Sequence, residues 1–196
     1  AYSNGRTVVP PVGELRFDAP PGDVHIKYGY VRGGETYVVK IASGFYDNPL
    51  IGLPSSNGLM LVFAQKTGAL LAVLLDEGLL TDVRTAAAGA VAARHLAPPD
   101  VRAIGIVGTG IQARLQLLHL RDVVATRKVF VFGRNPDNVA TYIRDMTAAG
   151  FDVHAATIAD LCREADLVVT TTPSTHALIL PEHVHPGLHV LSLIHI

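Results

Sequence analysis

The sequence predicts a two-part α/β protein, with an antiparallel β-rich first half and then a parallel sheet covered by helices on both faces. Three observations carry this expectation. Residues 24–76 hold four apolar runs separated by turn-forming Gly, Pro and Asn. From 101 onward, short apolar runs alternate with helix-forming segments, as parallel strands joined by crossover helices require. Between them lies an alanine-rich stretch, 80–97, ended by Pro98-Pro99. The expected division is therefore 1–97 and 98–196.

The elements follow in chain order. The opening AYSNGRTVVPPVGEL is rich in turn residues and predicts no starting element. VHIKYGYV (24–31) and TYVVKIAS (36–43) flank Arg32-Gly33-Gly34-Glu35, a hairpin signal. After the loop GFYDNPLIGLPSSNG, the runs GLMLVFA (58–64) and ALLAVLLD (69–76) flank a second turn at Gln65-Lys66-Thr67-Gly68. LTDVRTAAAGAVAARHLA (80–97) predicts a helix with Thr81 or Asp82 as its N-cap, and its small side chains permit close packing. Strands are then expected at 101–107, 128–132, 152–156, 166–172 and 188–193. Helices are expected at 111–125, 136–149 and 158–164, the second capped by Asn135 with Pro136 in its first turn. Both chain ends look abrupt, which predicts a piece of a longer sequence with an incomplete first domain.

With 49% hydrophobic and 17% charged residues, the 196-residue chain has the composition of a folded core. A net charge of −1 gives no general drive toward nucleic acid or anionic membrane. Cys162 is the only cysteine, so no internal disulfide forms, and a reducing, cytoplasmic setting is expected. No apolar run reaches the length of a membrane span. The nine histidines show no metal-ligand spacing beyond His183-x-His185, so no metal site is expected, and there is no G-x-S-x-G elbow.

The chemistry-bearing motif is VRAIGIVGTGIQAR (101–114). An apolar strand runs into Gly108-Thr109-Gly110 and then into helix-forming residues, a Rossmann-type turn that brings a dinucleotide diphosphate against the unpaired N–H groups of a helix start. Gly108 permits the tight turn, Gly110 presents no side chain to the phosphates, and Ala113 allows close helix–strand packing. The second strand of this domain ends in Phe132-Gly133-Arg134-Asn135, with no acid where a ribose 2′-hydroxyl would be held. Gly133 leaves room and Arg134 supplies charge for a 2′-phosphate, which favours NADP(H) over NAD(H). Arg134 as a solvated turn residue is the alternative.

Two cations in the first half invite comparison. Lys40 lies inside Val38-Val39-Lys40-Ile41, either on a solvated sheet face or as a positive group in a cleft. Arg84 lies near the start of the 80–97 helix, where a cation opposes the macrodipole. Either Asp82 offsets it or it binds an anion such as a carboxylate or cofactor phosphate. Ser55, Ser56 and Thr85 offer hydroxyls to phosphate, or serve only as turn and cap residues.

KIASGFYDNPLIGLPSSNGLMLVF (40–63), LLDEGLLTDVRTAAAGAVAARHLA (74–97) and IGIVGTGIQAR (104–114) together resemble the ornithine cyclodeaminase/μ-crystallin family. The wording SGFYDNP and GLPSSNGLM is most similar to its ectoine-utilisation cyclodeaminase-like branch, and the likeness covers about 24–190. The resemblance implies a homodimer whose subunits insert a Rossmann domain into a substrate and dimerisation domain built from both chain ends. It implies NAD(H)- or NADP(H)-dependent oxidation of an α-amino acid to an imine, or the reverse. In cyclodeaminases, ring closure with loss of ammonia separates two hydride transfers.

By position, Lys40 matches the lysine that contacts the substrate carboxylate and assists proton transfer. Arg84 matches the arginine that reaches the carboxylate and cofactor. Ser55 matches a cofactor-side hydroxyl, Gly108, Gly110, Ile111 and Gln112 the diphosphate turn, and Thr172 a threonine beside the cofactor. Arg16 is the nearest match for a further substrate arginine. After PGLHV (186–190) the family continues to an acid/base aspartate, but this chain reads LSLIHI and Ile196 falls near that position. The expectation is that 191–196 is not native family sequence, that the parent protein is the enzyme, and that this chain by itself is poorly active. The alternatives are a non-catalytic, μ-crystallin-like binder of NADPH and a small ligand, or an inactive fragment. The implied partners are a small amino acid or cyclic imine and a second subunit, with no nucleic acid and no membrane.

Overall fold

A computed structural model describes residues 3–174 and 176–193. The chain divides into two compact units, Ala1–Thr81 and Asp82–Ile196.

The first unit is an antiparallel sheet. Its strands are β1 (Thr7–Val8), β2 (Gly13–Asp18), β3 (Pro21–Val31), β4 (Thr36–Phe45), β5 (Ser56–Ala64) and β6 (Leu70–Leu74). The order is β1-β3-β4-β5-β6, with β2 also paired to β3. Both expected hairpins form. Strands β1 and β2 were not anticipated, because Pro10 and Pro11 lie between them and Pro20 and Pro21 follow β2. They form because β3 is long enough to pair with β1 at Tyr30–Val31 and with β2 from Pro21 to Ile26.

Directly opposed residues share a face of the sheet. One face therefore carries Lys40 with its register partners Lys27 and Met60. The opposite face carries Tyr28, Tyr30, Tyr37 and Val39, which line an apolar hollow of about 490 Å³. There Tyr37 stacks on Phe63 at 4.9 Å between ring centroids.

The second unit begins in helix α1 (Leu79–Leu96) and continues through β7 (Ile104–Val107), α2 (Ile111–Leu120), β8 (Lys128–Phe132), α3 (Pro136–Ala148), β9 (Asp152–Ala155), α4 (Ile158–Glu164), β10 (Leu167–Thr170) and β11 (His189–Ser192). The sheet order is β11-β10-β7-β8-β9, every pairing parallel. That is the 3-2-1-4-5 order of a nucleotide-binding sheet, with the reversal between β7 and β10. One apolar layer joins Ile104, Ile106, Val129 and Val131 to Leu117 of α2 and Tyr142 of α3. The other packs Val107 and Val168 on Leu161 and Cys162 of α4. Each fully buried Val, Leu or Ile contributes about 1.5–3 kcal/mol, and all such side chains in the described residues belong to this second unit.

Three expectations are corrected. The units part within the first turn of α1 rather than at residue 97, because α1 is tied to α2 and its Ala93 enters the parallel-sheet core. The helix start is capped by Asp76, whose carboxylate accepts from Leu80 N–H at 2.8 Å, rather than by Thr81 or Asp82. Helix α2 stops at Leu120 instead of 125. The amides of Val123 and Val124 both turn back to Leu120 O, and the Arg127 guanidinium collects the carbonyls of Arg121, Val124, Ala125 and Thr126.

The N-terminal edge of the parallel sheet is pinned by Asp166. Its carboxylate accepts from Arg102 Nε at 2.9 Å, Nη2 at 2.7 Å and the backbone amide at 2.8 Å. The hydrogen bond from Arg102 holds this carboxyl below its ordinary range. A lowered folded value stabilises the fold fully above the unfolded carboxyl value of about 3.9, and the gain is lost as pH falls through the lowered value. Asp166→Asn is therefore expected to cost about 1–2 kcal/mol at pH 7, allowing for the exposed arginine, and much less at pH 2–3. Urea midpoints at the two pH values measure this; an equal penalty at both would remove the ion pair from the account.

Candidate active site

The glycine turn stands at the C-terminal end of β7, beside the point where the strand order reverses. Gly108 has φ +119°, a conformation that a side chain strongly disfavours. Its N–H donates to Phe132 O at 2.8 Å, tying the turn to the end of β8. On its other side, the place of a Cβ is filled by Thr171, whose hydroxyl donates to Val107 O. Gly110 is the N-cap of α2 with no side-chain cap, and a Cβ there would meet open space. The first amides of α2 therefore face an unobstructed opening at the positive end of the helix. The arrangement fits a diphosphate bridge.

Helix α2 is registered against α1 by a polar seam. Gln112 Nε2 donates to Asp82 Oδ1 at 2.9 Å, and Gln116 Nε2 donates to Thr85 O at 3.1 Å. Gly89 lets α1 close onto the fully buried Gln116, since a Cβ there would lie 2.1 Å from Oε1. The Gln112 side chain is thus committed to α1, which leaves its backbone amide for a ligand. Asp82 is correspondingly engaged with Gln112 and forms no ion pair with Arg84 among the described residues. Arg84 is exposed, and Thr85 is half-buried.

At the end of β8, Gly133 packs closely against its neighbours on one side and borders a hollow on the other. Its missing side chain is occupied by Thr109 and Val139, at 2.8 and 2.9 Å from a Cβ. The following Arg134 is exposed. Asn135 is spent on capping α3, accepting from the amides of Asp137 and Asn138. Beside these residues a hollow of about 650 Å³ runs along the ends of β8 and β9, lined by Phe132, Gly133, Pro136 and Thr157. Thr172, just past β10, is half-buried, and its hydroxyl accepts from Ser174 N–H at 3.4 Å.

In the first unit, Lys40 is 9% exposed. Among the described residues up to Thr81, only Gly22, Lys40 and Gly78 are buried, so the sole buried side chain of this sheet is a lysine. This excludes the solvated-face reading. Cations are rarely buried without a reason beyond packing. Sequence reasoning missed the polar group on the same face. Asp23 accepts from Tyr46 Oη at 2.5 Å and lies 3.5 Å from His25 Nε2. Burial first, and Asp23 second, push the Tyr46 hydroxyl up to about 12. Alternation along β3 places Asp23, His25 and Lys27 on one face, and that was the available signal. Ser55 is half-buried, and its carbonyl accepts from Phe45 N–H at 2.8 Å. Arg16 lies in β2, exposed, paired with Glu14 at 2.8 Å. Ile196 lies outside the described residues.

Comparison with known proteins gives a consistent result. Residues 1–194 match the ornithine cyclodeaminase/mu-crystallin family. A Rhizobium meliloti protein carrying a dehydrogenase name is 43% identical over 197 residues, covering 98% of this chain and 59% of that protein. The Thermococcus litoralis Δ1-pyrroline-2-carboxylate reductase, solved with NADH and L-proline, superposes with a TM-score of 0.89 at 28% identity, over 97% of this chain and 59% of that one. A lysine cyclodeaminase, solved for its recognition of L-lysine, L-ornithine and L-2,4-diaminobutyrate, gives 0.86 at 31% identity, over 93% and 54%. The chain thus spans 54–59% of the length of these relatives. Its antiparallel sheet and its Rossmann-like parallel sheet are shared with the reductase and the cyclodeaminase, and the chain belongs to the ornithine cyclodeaminase/mu-crystallin family.

Proposed function

We propose that the protein interconverts a small α-amino acid and its imine, as a cyclodeaminase or ketimine reductase, with NADP(H) preferred over NAD(H). The observation that carries this is the open, uncapped glycine turn at the end of β7. In this reading the amides of Gly110, Ile111 and Gln112 hold the diphosphate and Gly108 shapes their turn. The hydroxyls of Ser55, Thr85 and Thr172 and the Arg84 guanidinium contact the cofactor. The nicotinamide supplies or accepts the hydride. Lys40 and Arg84 hold the substrate carboxylate, which aims the Cα hydrogen and leaves Lys40 placed to move a proton. The small-molecule partner is an amino acid or a cyclic imine. A homodimer belongs to the same proposal, supported by the exposed Leu15, Phe17, Tyr28 and Tyr30 on one face of the first sheet. So does a cytoplasmic location, supported by the buried free thiol of Cys162. Among the described residues no helix is long and apolar enough to cross a membrane, and no group of residues suits a metal ion.

Titrating NADPH and NADH by their fluorescence tests the cofactor. Following nicotinamide absorbance with Δ1-pyrroline-2-carboxylate, L-proline, L-ornithine and L-lysine then tests the reaction. Absence of dinucleotide binding would overturn the reading; binding without turnover of any amino or imino acid would favour a μ-crystallin-like binder.

The preference for NADP(H) rests on Arg134, the charged side chain that follows β8 without an ion-pair partner among the described residues. A charged hydrogen bond to a 2′-phosphate is worth about 1.5–3 kcal/mol. Arg134→Ala is therefore expected to weaken NADPH about 10- to 100-fold while moving NADH less than about threefold. Equal weakening of both would remove Arg134 from the phosphate.

A further inference from the structure

The side chain of Arg114 is in an unexpected place. It belongs to the first turn of α2, where a cation opposes the helix macrodipole and a bound anion is expected instead. Its guanidinium turns back on the glycine turn. Nη1 donates to Thr109 O and, at 3.3 Å, to Gly110 O. Gly110 O is poorly served by the helix itself, because the Arg114 amide reaches it only at 3.4 Å. Nη2 donates to Asp145 Oδ2 of α3 at 2.8 Å, and this contact holds the Asp145 carboxyl below its ordinary range. The guanidinium carbon lies 5.2 Å from the centre of the Tyr142 ring, and the Tyr142 hydroxyl donates to Ala113 O at 3.1 Å. Tyr142 is itself fully buried.

These contacts have one geometric consequence. In a tight turn the carbonyl and the next amide of each peptide plane point in opposite directions. Holding the Thr109 and Gly110 carbonyls on the Arg114 side therefore directs the Gly110 and Ile111 amides to the other side, into the opening. Asp145 balances the charge, and α3 fixes the fork through the Tyr142 ring. We infer that Arg114 is a positioning residue for the diphosphate site, setting the turn's amides for the ligand without touching it. The inference rests on the dinucleotide reading above and adds to it a residue outside the glycine motif. Lysine cannot substitute, because one ammonium on a flexible stem does not span two carbonyls and a carboxylate in a fixed plane.

Arg114→Lys and Arg114→Ala separate this role from a bolt between α2 and α3. The expected result is a loss of at least about tenfold in affinity for NADPH and for ADP, with adenosine, which has no phosphate, bound as before. At saturating cofactor, kcat stays within about twofold while the cofactor KM rises. In the ligand-free variants, amide exchange at 108–112 accelerates more than exchange in α3. Unchanged ADP affinity in a folded Arg114→Lys protein would overturn the inference, as would a parallel loss of adenosine affinity. If the unaltered protein bound no dinucleotide, the reading of the site would fail, and exchange at 108–112 would still decide whether Arg114 orders the turn.

Discussion

Replacing Gly108 with alanine is expected to abolish dinucleotide binding and to destabilise the second unit by about 2–5 kcal/mol. Two independent costs add here. At φ +119° a Cβ meets its own backbone, at about 1–2 kcal/mol. It would also lie 2.4 Å from Thr171 Oγ1 and 3.2 Å from Thr171 O. Relief by moving Thr171 would break its bond to Val107 O and shift the start of the β10 loop, an overpacking cost of about 1–3 kcal/mol. Relief by moving the turn would strain the Gly108 amide bond to Phe132 O and tilt the α2 amides away from the opening. The check is thermal unfolding with and without NADPH. The variant should melt lower, and added cofactor should no longer raise its midpoint. Gly110→Ala is the control, since a Cβ there has open space in the ligand-free protein. It should leave stability nearly unchanged and still weaken binding, because that space is where the phosphates are proposed to lie. A Gly108→Ala protein that still gained stability from NADPH would show that the turn's conformation does not make the site.

The parallel sheet was legible because each of its signals is local. KVFVF is a strand over 128–132, and α4 runs over Ile158–Glu164, as the apolar pattern suggests. Asn135 caps α3 in the expected manner. The errors arise where distant contacts outweigh local preference. Asp76 lies two residues past the end of β6 and is followed by Glu77 at φ 51° and Gly78 at φ 91°, so the residue that closes the apolar run in the sequence caps the next helix. β2 is exposed along most of its length and owes its shape to the edge of β3.

The site divides in the same way. The glycine turn was read directly from GTG and its flanks. The Arg114 clasp was not, because its acceptors are carbonyls and its counter-charge comes from another helix. The polar spacing Gln112 and Gln116, set among the buried Ala113, Leu117 and Leu120, was a signal for the α1–α2 seam that went unused. For Lys40, both faces of Val38–Ile41 are apolar. Alternation therefore offered no way to tell a covered lysine from a solvated one.

Lys40→Met is expected to lower kcat/KM for the amino or imino acid by about 100- to 10,000-fold, with thermal stability unchanged or raised. The two signs together are the test. A buried lysine kept for packing alone would be improved by methionine, which has similar length and no charge. Replacing buried ions by apolar groups of like volume is often neutral or stabilising by about 1–4 kcal/mol, even where the ion is paired. A lysine kept for the reaction loses two things in that substitution, a cation for the carboxylate and a proton carrier. Either loss alone costs about 100-fold or more in a transition state. Substrate KM and kcat measured with saturating cofactor, beside a melting curve, read both quantities on one protein. Retained turnover in a stable Lys40→Met variant would remove the carboxylate role and leave the dinucleotide site standing. Lost turnover with an unaltered NADPH affinity would place the defect at the substrate. A sheet whose one buried side chain is a cation gives up stability at that position, and recognition of an anionic substrate is the function that would retain it.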